Sequence, residues 1–163
     1  MNRTFMYAPR SEYRHGRIVW AYLRNAKGKR EEHPAVILSP DESIVQPPDF
    51  DPRTSRENVI VVAGISTKYR NYATPFVPLP FRASPAGHPV TQLRKDCAAI
   101  VGWYHAIFIP DDVTAFGGEV PVKQLRELNA QVLNAYIAAV GKQYDNSLEM
   151  MAELRESLIK RGV

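Results

Sequence analysis

Cysteine is almost absent from this sequence: Cys97 is the only one, so no internal disulfide can form and nothing demands an oxidising compartment. No apolar run approaches the ~18 residues needed to cross a bilayer, and the richest stretch, 97–109, is interrupted by Gly102 and His105. Residues 1–17 are basic and rich in tyrosine but lack the apolar segment of a secretory signal. The sequence therefore predicts a cytoplasmic protein that does not span a membrane.

Several kinds of functional site are missing as well. The four histidines lack the spacing of metal ligands, and together with a single cysteine they predict neither a metal site nor a cofactor. The sequence has no glycine-rich loop that would hold a phosphate and no serine-nucleophile motif. Cys97 is more typical of a small buried hydrophobe than of a nucleophile. Trp20 and Trp103 lie in apolar segments, which predicts core positions for both.

Positive charge is distributed unevenly along the chain. The formal net charge is +4, but residues 1–35 carry eight Lys or Arg against three Glu, and residues 66–95 carry five and no acid. The acidic residues collect in 40–57 and 96–120. Two basic blocks can form one positive face on a folded domain, which suits a phosphate-bearing partner. Ordinary solvated surface is the alternative interpretation.

The first two-thirds of the chain predicts β-strands. Short apolar or β-branched runs are separated by Pro, Asp and Gly. They occupy residues 18–23, 35–38, 58–65, 76–80, 97–101 and 103–109. The prolines of 76–80 restrict that run to a sheet edge, Gly102 indicates a bulge or bend, and residues 24–33 form a charged loop. This pattern favours a mainly β domain with a small, strongly curved barrel.

Two helices are predicted after the strands. Pro121 begins an apolar pattern with spacings of three and four, and Gly141 is placed to end it. Asn146, with Glu149 three residues later, begins a second helix. Its predicted apolar stripe consists of Leu148, Met151, Leu154 and Leu158. The expectation is an α+β domain over 1–141, with 142–163 as an extra helix that packs on the domain, on a second subunit or on a partner.

Three short motifs follow one another in the first half of the chain: Gly16 to Trp20, His33 to Ser39 and Val59 to Thr67. Their order resembles the MazF/PemK toxins of type II toxin–antitoxin systems, which read Gly-Asp-Ile-Val-Trp, then Arg-Pro-x-Val-Val-Leu, then a strand ending Ile-Thr-Ser. Leu93 to Ile100 is similar to a later strand of that family. The resemblance covers about residues 15–140, and the helix from Asn146 lies outside it.

The resemblance implies an SH3-like barrel with C-terminal helices that acts as a homodimer. It also implies a metal-independent endoribonuclease that cleaves single-stranded RNA and is neutralised by an antitoxin lying in the RNA groove. Such cleavage needs a deprotonated 2′-hydroxyl, stabilisation of the phosphorane charge and a protonated leaving oxygen. In the family, an Arg before the Pro of the second strand and a Thr at the end of the third do most of this.

Both of these positions differ here. His33 stands where the family has Arg, and Ser66, followed by Thr67, stands where it has Thr; Arg17 also replaces a usual Asp. Serine keeps the hydroxyl, whereas imidazole is mostly neutral at pH 7 and guanidinium is not. The loss of an anion-stabilising donor and the gain of an acid–base group have similar magnitudes, about 10²–10³ and 10²–10⁴ in rate. If His33 supplies the acid, cleavage is expected to decline above about pH 7.

Further residues are candidates for RNA binding. Arg30 would restore the missing positive charge if its loop folded inward, and Lys68 and Arg70 would hold phosphates. Tyr69 and Tyr72 would stack on bases. A solvated turn over 68–72 is the alternative.

The leading hypothesis from sequence is therefore a MazF/PemK-like endoribonuclease toxin with His33, Ser66 and Thr67 as catalytic residues. A barrel that binds RNA or protein without cleaving it is the second hypothesis. A third is that the final helix covers the groove as a built-in inhibitor.

Overall fold

The structure is a computed structural model that describes residues 12–25, 27–46, 49–51, 53 and 58–163. Part of the basic N-terminal segment therefore lies outside the described residues. The strands are β1 (Arg17–Arg24), β2 (Arg30–Ile37), β3 (Val59–Ser66), β4 (Phe76–Leu79), β5 (Cys97–Phe108) and β6 (Val113–Glu119). The helices are α1 (Val122–Val140) and α2 (Ser147–Arg161). The chain is mainly β with two C-terminal helices, as predicted.

The strands form one antiparallel sheet in the order β4-β5-β3-β2-β1-β6. β4, which contains Pro78, lies at an edge and pairs only with β5, so the edge position predicted from its prolines is confirmed. The two edge strands, β4 and β6, do not pair with each other. The sheet is therefore open, and a strongly curved closed barrel is not confirmed.

The hairpin of β1 and β2 is longer than the sequence predicted. Residues 24–33, expected to be a charged loop, instead contribute Arg24 to β1 and residues 30–33 to β2. The turn is short because the Asn25 side-chain oxygen accepts hydrogen bonds from the N–H groups of Lys27 and Lys29, at 2.9 and 3.0 Å. Both lysines are thereby held at the tip of the hairpin.

The alternation of side chains along β5 changes at Gly102. The pairing of β3 with β5 shifts register between Ala63 and Ile65, opposite the bulge, and Gly102 has a φ of +100° that favours glycine. Residues 97, 99 and 101 therefore face the same core as the helices, whereas Trp103 and Ile107 face the other side of the sheet. The bulge predicted at Gly102 is confirmed, within one continuous strand.

The helices cover one face of the sheet. α1 begins after Pro121 and ends at Gly141, which is left-handed, and the Asn146 side chain caps α2 by accepting the N–H of Glu149 at 2.8 Å. The start and end of α1 and the start of α2 agree with the predictions from the sequence. Within the part of the chain that the structure describes, neither helix has the combination of length and apolar character that crossing a bilayer requires.

α2 packs on its own chain. Its buried residues belong to the same core cluster as α1 and the sheet: Met150, Met151, Leu154 and Leu158. Leu148, predicted to be in this stripe, is 42% exposed, and Met150 takes its place. The groove that His33 and Ser66 line has no described residue of α2 in its lining, so the hypothesis that this helix covers the groove is wrong.

Candidate functional site

His33 lies in the middle of β2 and Ser66 lies at the end of β3. The last pair of the β2–β3 ladder is Ala35 with Gly64, next to Pro34, which has no N–H to donate. If the same register continued by two residues, it would bring His33 opposite Ser66. The ladder thus ends just before the two candidate catalytic residues.

Both side chains open into one groove of about 1550 Å³. Its cationic lining residues come from both basic blocks of the sequence: Lys27, Lys29, Lys68, Arg94 and Lys95. Two acids, Glu31 and Glu32, also line it, and their carboxylates accept hydrogen bonds from the side chains of Asn25 and Thr114. The groove therefore has an excess of positive charge beside an imidazole and a hydroxyl, which suits a polyanion.

The imidazole of His33 is half-buried and packs against Trp103 in an edge-to-face contact, with ring centroids 5.0 Å apart. Its Nε2 is buried and has no hydrogen-bond partner among the described residues. Burial lowers the pKa of His33 below its ordinary value of 6.5, and the nearby Glu31 opposes this only in part. The ring is therefore neutral at pH 7, which favours a general base over the general acid considered from sequence.

The hydroxyl of Ser66 is held by the turn that follows β3. The Ser66 oxygen accepts a hydrogen bond from the N–H of Lys68 at 3.0 Å, which leaves its own proton free to be donated into the groove. Thr67 and Lys68 are exposed beside it and also line the groove. Two hydroxyls and one ammonium group are thus presented by three consecutive residues.

Arg30 does not lie in this groove. Residues 30–33 are in a strand, and strand alternation directs Arg30 to the face opposite His33. There it lines a smaller depression of about 340 Å³ and lies 3.7 Å from the carboxylate of Asp112 and 6.0 Å from the ring of Tyr22. The structure therefore does not place this guanidinium where it would replace the charge missing at His33.

Two of the other RNA-binding candidates line the groove and two do not. Tyr72 is half-buried in the groove wall, 6.0 Å from Trp103 between ring centroids, and Lys68 lies nearby. Tyr69 is 4% exposed, and its hydroxyl donates to Asp96 at 3.0 Å. Arg70 covers the Tyr69 ring at 4.5 Å and lies 3.7 Å from Asp96. Base stacking by Tyr69 does not fit this placement, because its ring is already packed.

The sequence interpretation also missed residues that the structure brings to the site. Trp103 was expected in the core, yet it lines the groove beside His33. Arg94 and Lys95 belonged to a basic block but were not assigned a position. Cys97 is buried, and burial raises the pKa of its thiol to about 11, as expected for an inert cysteine. Among the described residues, no group of three His, Cys, Asp or Glu is arranged to hold a metal ion.

A second histidine, His105, lies beneath the site. It is 7% exposed, and its Nε2 accepts the N–H of Arg24 at 3.0 Å. Burial, together with the positive charges of Arg24 and Arg30 and the neighbouring His33, lowers the pKa of His105 to about 4. The hydrogen bond that Nε2 accepts needs a neutral ring.

This histidine is expected to make the fold sensitive to acid. Between pH 6.5 and about 4, unfolded chains bind a proton at this ring and folded chains do not, so the free energy of unfolding falls as pH falls. The loss is about 3 kcal/mol, because a tenfold change in proton affinity corresponds to about 1.4 kcal/mol. Chemical denaturation at several pH values should show this fall in the free energy of unfolding. In His105→Gln, which keeps a hydrogen-bond acceptor, the total fall over the same pH range should be smaller by about 3 kcal/mol. Equal slopes for the two proteins would contradict the prediction.

Comparisons with known proteins agree with this architecture. No family model and no curated protein matches the sequence. Among solved structures, a MazF structure from Deinococcus radiodurans is 14% identical with a TM-score of 0.52, covering 80% of this chain and 97% of that one. The toxin MazF-mt6 of Mycobacterium tuberculosis is 21% identical with a TM-score of 0.51, covering 74% and 95%. The chain has the MazF fold. A MazE–MazF complex from Deinococcus radiodurans also matches, with 14% identity, a TM-score of 0.51 and coverage of 81% and 98%. The MazF fold thus spans most of the chain, as the order of motifs predicted.

Proposed function

We propose that this protein is a metal-independent endoribonuclease that cleaves single-stranded RNA and acts as the toxin of a toxin–antitoxin pair. The observation that carries the proposal is that His33 of β2 and Ser66 of β3 line one groove together with five Lys or Arg residues. The MazF fold and the order of sequence motifs support the same activity.

The proposed reaction is attack of an RNA 2′-hydroxyl on the adjacent phosphorus. The neutral imidazole of His33 removes the 2′-proton, the 2′-oxygen bonds to phosphorus, and the bond to the 5′-oxygen breaks. The hydroxyls of Ser66 and Thr67 donate hydrogen bonds to the phosphorane oxygens. Lys68 neutralises charge and offers a proton to the leaving oxygen. The products are a 2′,3′-cyclic phosphate and a 5′-hydroxyl, and no metal ion takes part.

The test is incubation of the purified protein with single-stranded RNA in the presence of EDTA. We expect cleavage with a cyclic phosphate at the new 3′ end, no cleavage of DNA of the same sequence, and a loss of about 10²- to 10³-fold in rate for Ser66→Ala. Equal cleavage by the wild type and the Ser66 and His33 variants would refute the site. Tight RNA binding without cleavage would favour the second function, a binding module, which the absence of a fixed cation at residue 33 also supports.

The side of the sheet that carries RNA can be tested by charge removal. Lys68→Gln is expected to weaken RNA binding several-fold and to reduce the salt dependence of log K by about one phosphate contact. Arg30→Gln removes the same charge on the opposite face, so it should leave binding nearly unchanged. Fluorescence anisotropy over a series of salt concentrations measures both. An equal loss for the two variants would show that the groove is not the RNA surface.

The proposal includes two protein partners. One MazF structure that matches this fold is a complex with MazE, and an antitoxin with an acidic segment would suit a groove lined by five Lys or Arg. A second copy of the chain, as in the homodimer implied by the sequence resemblance, is the other. Co-expression with the product of a neighbouring gene, followed by sedimentation analysis of the complex, tests both.

A further inference from the structure

The indole of Trp103 is fixed at two points below the groove. A Cβ atom on residue 64 would lie 2.2 Å from Cε3 of the indole, so the ring occupies space that only glycine leaves open. The indole Nε1 donates a hydrogen bond to the backbone oxygen of Arg24 at 2.9 Å. Trp103 therefore ties β3 to the end of β1, next to the turn that presents Lys27 and Lys29.

The same ring is the neighbour of His33. The two rings meet at an angle of 80° with centroids 5.0 Å apart, and Nε2 of His33 is buried without a hydrogen-bond partner among the described residues. A buried N–H group without an oxygen acceptor is best accommodated against an aromatic ring, which accepts a weak hydrogen bond. The face of the indole carries negative charge density, so it attracts an N–H group and not a lone pair.

We propose that Trp103 is a positioning residue that holds His33 with its Nε2–H against the indole and leaves Nδ1 as the nitrogen available to a substrate in the groove. The inference rests on the proposed function, since it assigns the nitrogen that accepts the 2′-proton. A general base needs a partner that fixes its tautomer and orientation. In this chain the partner is an aromatic ring and not a carboxylate.

Substitution of Trp103 removes none of the charged groups that surround His33. Glu31 on β2 raises the pKa of His33, and His105 on β5 interacts with it electrostatically. The cations of the groove are Lys27 and Lys29 from the hairpin, Lys68 after β3, and Arg94 and Lys95 before β5. A change in the titration of His33 on substitution of Trp103 therefore reports the loss of the indole.

The experiment is a ¹⁵N NMR titration of the imidazole nitrogens, combined with RNA cleavage kinetics over the same pH range. The wild type is expected to show the Nε2–H tautomer at His33, and Trp103→Phe, which keeps an aromatic ring, should retain it. In Trp103→Leu we expect a mixture of tautomers, a His33 pKa that rises toward 6.5, and a fall in kcat of about tenfold with KM nearly unchanged. Phe108→Leu, which removes an exposed aromatic ring from the same strand outside the groove, is the matched control and should behave as the wild type.

Two results would overturn the inference: an Nδ1–H tautomer in the wild type, or the same tautomer and titration in Trp103→Leu as in the wild type. If Trp103→Leu does not fold, Gly64→Ala takes its place, because the added Cβ displaces the indole without removing it. A wild type that cleaves no RNA overturns the proposed function alone, because the NMR titration still decides whether Trp103 sets the tautomer of His33.

Discussion

His33→Ala is expected to reduce the rate of RNA cleavage by about 10²- to 10⁴-fold, the usual contribution of a general acid or base. The imidazole lines the same groove as Ser66 and has a pKa that burial lowers below 6.5, so it is neutral at pH 7. Single-turnover cleavage of a labelled RNA by the wild type and the variant measures this effect.

The pH profile separates the two roles that histidine can have. For a base, kcat/KM of the wild type should fall as pH drops through the lowered pKa of His33, below 6.5, and stay level above it. His33→Ala should lack this acid limb, whereas Ser66→Ala, although slower, should keep it. A decline of wild-type activity above pH 7 would instead support the acid role that was considered from sequence.

Leu154→Ala is expected to lower the free energy of unfolding by about 2–5 kcal/mol, because the truncation leaves a cavity in a packed core. Leu154 is 1% exposed in the cluster that joins α2 to the sheet. Leu148→Ala on the same helix is the matched control: Leu148 is 42% exposed, and its truncation should cost less than about 1 kcal/mol. Chemical denaturation of the three proteins measures both values. A small effect at Leu154 would mean that α2 does not belong to the folded core.

Local signals in the sequence account for the parts of the fold that were predicted correctly. Pro121 and Gly141 bound α1, and Asn146 caps α2, because each acts on the backbone within one turn. β6 was missed because its seven residues include two glycines and few apolar side chains, so its strand conformation depends on pairing with β1. That β4 and β6 do not pair depends on the arrangement of the whole sheet, so local sequence signals could not predict it either.

The candidate site, like the fold, was only partly predictable from the sequence. The order of the motifs predicted that His33 and Ser66 meet, and the register of β2 and β3 is consistent with this prediction. The placement of Arg30 was not foreseen, because a short turn at Asn25 turns the expected loop into a strand that directs the guanidinium away. Tyr69 and Tyr72 look alike in sequence. The first is buried because it packs with Phe76, Ala98 and Ile100, which are distant in sequence, and its hydroxyl donates to Asp96.

The bulge at Gly102 sets which side chains of β5 lie beside the candidate site. It inserts an odd number of residues relative to β3, so odd-numbered residues change sides: Val101 points to the helices and Trp103 to His33. If β5 alternated regularly through residue 102, Trp103 and His105 would lie on the helical side, and Tyr104 would take the place beside the imidazole. The side chains that β5 presents to the groove are therefore determined by one backbone irregularity as well as by residue type.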